Sequence, residues 1–162
     1  MYIQQLDVET AYLNGDSDED IFMESPTNFS EILNDLIKNE TGDIKNTAPK
    51  MLKDFKNGRT TLILKKALYG LKQSGRQRYK KLDKKLKELD MSRTNNDPCI
   101  YIKRNDKNIL ITIVYVYDLI VMGSDINEIN NLKKHLSNDF KMKDMGNINY
   151  FLGVIIIKVK IF

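Results

Sequence analysis

Two aspartates in this 162-residue chain occupy positions where a carboxylate needs a reason. Ile109 to Gly123 reads as two β-branched apolar runs broken by Asp118, with no Gly, Pro or Asn at the break. A charge between otherwise buried strands is costly unless a metal or an opposite charge compensates it. Asp7 stands near the end of a second short β-prone run, Ile3 to Val8. If the two runs are neighbours in one sheet, both carboxylates reach the same point. Such a pair suits Mg²⁺, which takes a few carboxylates and leaves room for water and substrate phosphates. Two-metal phosphoryl transfer depends on that clustering, because the ions bridge attacking and leaving oxygens. Spacing alone leaves the plainer reading open, since Asp at the exposed end of a strand is common.

A second candidate lies between Arg76 and Lys87, where Arg76, Arg78, Lys80, Lys81, Lys84, Lys85 and Lys87 surround an apolar stripe of Tyr79, Leu82, Leu86 and Leu89. A charged face opposite such a stripe is ordinarily a solvated helix surface. Here it is nearly one-signed and follows a loop with two glycines, so it could equally track a phosphate backbone. His135 has no Cys or His partner nearby and reads as a surface residue. Tyrosines and phenylalanines read mostly as core, with Tyr12 the exception.

The elements that must position these groups follow from hydrophobic period and punctuation. Ile32, Leu33, Leu36 and Ile37 fit a short amphipathic helix, and Met51, Leu52 and Phe55 a second. Strands are expected at Ile21–Met23, Thr61–Leu64 and Ile100–Ile102, then on both sides of Asp118. Leu68 to Gly75 reads as a loop. Asp125 is a good N-cap for a helix whose inner face is Ile126, Ile129, Leu132, Leu136 and Phe140. Tyr150 to Ile157 reads as a last strand, ahead of Lys158 and Lys160. The order predicts an α+β fold: a mostly antiparallel sheet with helices on one face.

Composition narrows the class. A net charge of +4 permits nucleic-acid binding without requiring it. One cysteine, Cys99, excludes an internal disulfide framework and reads as a small buried residue in a reducing compartment. No secretory segment or membrane-spanning run is visible, so an intracellular, cytoplasmic chain without a membrane partner is expected.

Five segments in order carry a family resemblance over nearly the whole chain. They are Gln5–Gly15 with Ile21–Pro26, then Leu64–Gln77, Asp97–Tyr101, Tyr115–Asp118, and Asp144–Gly146 with Tyr150–Val154. Together the series resembles the reverse transcriptase of copia-type retrotransposons. That resemblance implies a polymerase palm-like antiparallel sheet with helices on one face, plus part of the fingers and no thumb. Residues 1–162 would be a partial reverse transcriptase domain, with 22–64 a fingers-like insertion.

By the same resemblance Asp7 and Asp118 are catalytic, and Asp7, Val8 and Asp118 hold Mg²⁺ or Mn²⁺, two ions in the intact family. Val8, Glu9, Thr10, Ala11 and Tyr12 underlie the incoming nucleotide together with Tyr69 and Gly70, and Tyr12 matches the bulky residue that excludes a 2′-hydroxyl. Lys72, Gln73, Arg76, Lys80 and Lys84, with Leu152 and Gly153 on the primer side, would meet nucleic acid. Implied partners are an RNA or DNA template-primer, dNTPs, and the RNase H and integrase parts of a Pol polyprotein, in a virus-like particle context.

One departure stands out. The family's Tyr-Val-Asp-Asp motif has Tyr117 in place of its first aspartate. A phenol is neutral near physiological pH and a poor Mg²⁺ ligand, so a catalytic defect is expected. The chain begins six residues before Asp7 and stops at Phe162, and that truncation is expected to deepen the defect. The alternative is a non-catalytic nucleic-acid-binding remnant that uses the basic helix 76–87.

Overall fold

The computed structural model describes residues 1–157 and divides them into two compact units. One comprises residues 1–16 and 66 onward, and the other Ser17–Lys65. Lys158 and Lys160 lie outside the described residues. Among the described residues no helix is long and apolar enough to cross a membrane.

The first unit opens with β1 (Tyr2–Val8) and a single 3-10 turn, Ala11–Asn14. The second unit supplies the next four elements. Strands β2 (Phe22–Glu24) and β3 (Thr61–Ile63) pair antiparallel, with helices α1 (Phe29–Asn39) and α2 (Asp43–Lys56) between them in sequence. Phe29, Leu33 and Ala48 form its buried centre, with Leu36, Ile37, Leu52, Phe55 and Leu62 packed around them. Both expected helices are present and longer than their apolar stripes suggested. Ile32 and Met51 are exposed rather than part of that centre.

The chain returns to the first unit with α3 (Ser74–Glu88), β4 (Ser92–Arg93), β5 (Ile100–Arg104), β6 (Ile109–Tyr115), β7 (Asp118–Gly123), α4 (Ile126–Asp139) and β8 (Met142–Asn147). A six-stranded antiparallel sheet results, in the order β4-β5-β6-β7-β1-β8. The α+β palm-like expectation is therefore met.

Strand alternation gives this sheet two different faces. Leu6, Val8, Leu110, Val114, Leu119 and Val121 share one buried cluster with Leu82 and Leu86 of α3 and Ile129, Leu132 and Leu136 of α4. Each such side chain contributes roughly 1.5–3 kcal/mol by leaving water. Residues of the other parity, Gln5, Asp7, Asp118 and Met122, lie on the face that these helices do not cover and are only half-buried. Asp125 caps α4 as expected, its Oδ1 accepting from the Asn127 amide at 2.8 Å.

Several readings need correction. The aromatic residues are not mostly core: Tyr2, Phe22, Tyr69, Tyr115, Tyr117 and Tyr150 are exposed, whereas Phe29, Tyr101 and Phe140 are buried. Cys99 is only half-buried, because it sits in the turn before β5 with its amide bonded to Asp97 Oδ1. The last strand is a hairpin, β9 (Tyr150–Phe151) and β10 (Val154–Ile155), since Leu152 and Gly153 take left-handed φ of 50° and 82°. Arg78 is buried within α3 rather than on its charged outer face.

Candidate active site

Sheet register brings the two aspartates together. Asp7 on β1 lies directly opposite Asp118, the first residue of β7, and side chains paired in this way stand about 5 Å apart at Cβ. Val8 donates its amide to the Tyr117 carbonyl at 2.7 Å, which ties the end of β1 to the β6–β7 turn. That turn is a two-residue loop, since Tyr115 pairs with Asp118 and only Val116 and Tyr117 intervene. Val116 has φ 43° there, a conformation that a β-branched residue adopts only under strain.

The Asp118 carboxylate is already engaged: Oδ1 accepts from Gln5 Nε2 at 2.9 Å. Gln5 was not among the expected site residues. Its position two residues before Asp7 puts it on the same face of β1, so strand parity could have found it.

The remaining expected residues fall into three groups. Tyr12 in the 3-10 turn touches both Tyr69 (ring centroids 5.4 Å apart) and Tyr117 (5.7 Å), each edge to face. Ala11 is buried beneath it, Thr10 takes φ 48°, and Gly70 takes φ 92° in the loop that carries Tyr69. Glu9 is ion-paired with Lys141 at 2.7 Å and its amide bonds to the Lys141 carbonyl. Leu152 and Gly153 turn the β9–β10 hairpin, which reaches the site through Phe151 against Tyr115, 6.2 Å between rings.

Arg76, Lys80 and Lys84 lie on α3, and Lys72 lies in the loop before it. All four are exposed, and α3 covers the face of the sheet opposite Asp7 and Asp118, since its Leu82 and Leu86 pack with Leu6 and Leu119. Gln73 precedes the first turn of α3 and is half-buried.

Burial, then the neighbouring Tyr12 and Tyr69, push the Tyr117 phenol above the ordinary tyrosine range. An ordinary phenol is already neutral at physiological pH, so Tyr117 offers no anionic oxygen there. Among the described residues no group of three or more His, Cys, Asp or Glu side chains could hold a metal ion. Two carboxylates, one of them bonded to an amide, with a neutral phenol between strands, do not fit a two-ion centre.

Comparison with known proteins agrees with this architecture. The family model for reverse transcriptase (RNA-dependent DNA polymerase) matches residues 1–160. The chain is 38% identical over 157 residues to the retrovirus-related Pol polyprotein from transposon TNT 1-94 of Nicotiana tabacum, covering 96% of this chain and 10% of that protein. It is 31% identical over 152 residues to the retrovirus-related Pol polyprotein from transposon RE1 of Arabidopsis thaliana, covering 94% of this chain and 9% of the relative. The chain thus spans about a tenth of the length of these relatives. An antiparallel sheet that pairs Asp7 with Asp118, and a match along almost every residue, lead to one conclusion: the chain belongs to the reverse transcriptase (RNA-dependent DNA polymerase) family, as a copia-type reverse transcriptase region similar to those of retrotransposon Pol polyproteins.

Proposed function

We propose that this chain is a reverse transcriptase palm region, by ancestry a template-directed nucleotidyl transferase, whose chemistry is defective at position 117. The observation that carries the reading is Tyr117 itself. It stands beside Asp118 at the strained turn, packed on Tyr12, with a phenol that carries no charge at physiological pH. In the intact family that position supplies a carboxylate for Mg²⁺ or Mn²⁺, whose role would be to activate the primer hydroxyl and neutralise the triphosphate. Asp7 and Asp118 alone give two carboxylates and little ability to share two ions.

The rest of the site suits the ancestral substrates. Ala11, Thr10 and Gly70 keep the backbone close to where a dNTP would lie, Tyr12 would stand under its sugar, and the β9–β10 hairpin would flank a primer end. Template-primer, dNTPs and the neighbouring parts of a Pol polyprotein are the partners this reading assigns.

Primer extension on an RNA template, with Mg²⁺ and separately with Mn²⁺, tests the proposal. The expected result is no product above background, with or without Asp7→Asn. Robust extension that is lost on Asp7→Asn would show a working centre and overturn the assigned defect.

A further inference from the structure

Three tyrosines meet where the end of β1 reaches the β6–β7 turn, and water still covers much of them. Tyr12 contacts both Tyr69 and Tyr117, with ring planes inclined at 70° and 77°. Tyr69 is nonetheless 75% exposed and Tyr117 37% exposed, while Tyr12 is half-buried and anchors both. A residue with only a quarter of its surface covered has at least one open ring face. Gly70, next to Tyr69, has nothing within 4 Å of where a Cβ would stand, so the backbone beside that ring is open too. Exposed aromatic clusters of this kind mark interaction sites, because apolar surface is otherwise drawn inward.

Charge around the cluster selects the partner. Register places Tyr115, Asp118, Asp7 and Lys143 in one row across β6, β7, β1 and β8. Residues directly opposite one another share a sheet face, so the two carboxylates are followed by an exposed ammonium. Two residues further along each strand, Glu9 and Lys141 cancel each other. The centre of the row therefore repels a phosphate, and only its β8 end attracts one. What the rings supply is flat surface, which stacks any unpaired nucleobase whatever its sequence. A strand fits with a base on the rings and its phosphates turned from the carboxylates toward Lys143.

We propose that the Tyr12–Tyr69–Tyr117 cluster is a metal-independent binding site for the unpaired bases of a single-stranded nucleic acid. The choice of ligand rests on reading this sheet as a polymerase palm with a defect at position 117. There the chain trades an ion-binding carboxylate for a base-binding ring. The sign of one effect separates the two kinds of site. Carboxylates that hold ions help a polymerase bind nucleotide, whereas here Asp7 and Asp118 only oppose the phosphates.

Fluorescence anisotropy of the full chain with a labelled single-stranded oligothymidylate, in EDTA, tests this. The wild type is expected to bind. Tyr69→Ala and Tyr117→Leu should each weaken binding by at least about fivefold, the low end of what one stacked base contributes, and Tyr69→Phe should retain it. An abasic strand of equal length, which offers phosphates alone, should bind at least about fivefold more weakly as well. Asp7→Asn should bind at least as tightly as the wild type.

No binding in EDTA, equal affinity for the abasic strand, or weaker binding by Asp7→Asn overturns the inference. So does unchanged binding by both ring variants, even if they dissolve a dimer, since the cluster would then be a contact between copies. Circular dichroism checks that the variants remain folded; Tyr69 is so exposed that Tyr69→Ala should melt with the wild type. Primer extension by the wild type would overturn the defect assigned to position 117 and leave the binding result standing, so the two failures are told apart.

Discussion

Gly15 offers the sharpest test of how the site is held, because space alone requires glycine there. Its backbone is extended, φ −78° and ψ 138°, which any residue adopts, so conformational strain plays no part. A methyl group at that position would lie 2.8 Å from the Arg78 backbone nitrogen and 3.0 Å from both the carbonyl carbon and Cβ of Gln77. Neither partner can rotate away, being helix backbone or bonded directly to it. Gly15 cannot retreat either: its amide is bonded to the Tyr12 carbonyl at 3.0 Å and its carbonyl accepts from Ala67 at 2.8 Å. Gly15→Ala must therefore push α3 off the 3-10 turn, at the 1–3 kcal/mol typical of overpacking, about 2 kcal/mol here. In a chain of this size that lowers the melting temperature by roughly 4–8 °C. Thermal unfolding followed by circular dichroism reads it, with two other glycines as internal standards. Gly123→Ala meets only side-chain ends, Ile129 Cγ1 at 3.1 Å and Leu110 Cδ1 at 3.3 Å, and should cost about half as much. Gly75→Ala comes no closer than 3.9 Å to Tyr12 and should be neutral, or stabilising by up to about 1 kcal/mol as a helical glycine replaced by alanine. If Gly15→Ala melts with the wild type while Gly123→Ala falls, the packing argument is wrong.

Three further outcomes are expected. Tyr101→Phe removes a buried hydroxyl that bridges Asp83 Oδ1 at 2.7 Å and the Tyr79 hydroxyl at 2.9 Å, and should cost about 1–2 kcal/mol in urea denaturation; an unchanged midpoint would show the network idle. Although burial opposes it, bonds from Lys133 and the Gly146 amide hold the Asp144 carboxyl below its ordinary range. Its contribution is thus full above the unfolded-state value near ~4 and lost as pH falls through the lower native value. Asp144→Asn should then cost about 1 kcal/mol at neutral pH, discounted because Asp144 is exposed, and that deficit should vanish in strong acid. Val116→Asn should raise stability by about 1 kcal/mol, since asparagine tolerates the left-handed φ that valine does not; a lower melting temperature would mean that the turn is unstrained.

Much of this molecule was legible because periodicity reports burial. The apolar positions of α4 and the alternation in β6 and β7 mark the packed face, and Asp125 marks a helix start. Fewer signals reach across the chain. Nothing near Arg78 distinguishes it from Arg76 or Lys80, because its burial comes from the 3-10 turn, which is distant in sequence. The β6–β7 turn carries none of the usual turn residues, so Tyr115 to Asp118 betrays a break only through its carboxylate. Leu152 and Gly153 split the last strand by backbone conformation, which a run of apolar letters does not encode. The tyrosine cluster was missed for the opposite reason: aromatic residues are expected inside, and here Tyr69 and Tyr117 gather on the surface beside Tyr12.

The two-faced sheet has a consequence for how such a protein ages. On the proposed reading, Leu6, Val8, Leu119 and Val121 answer to the folding equilibrium, while Asp7 and Asp118, one residue away on the same strands, would answer mainly to chemistry. Mutations on the helix-covered parity unfold the chain and are removed wherever the fold is needed. Mutations at Asp7 and Asp118 would cost the fold little and, on that reading, be visible mainly to a selection that demands polymerisation. Once that demand lapses, the two sets of positions drift at different speeds, and the architecture outlasts the reaction it was built to hold.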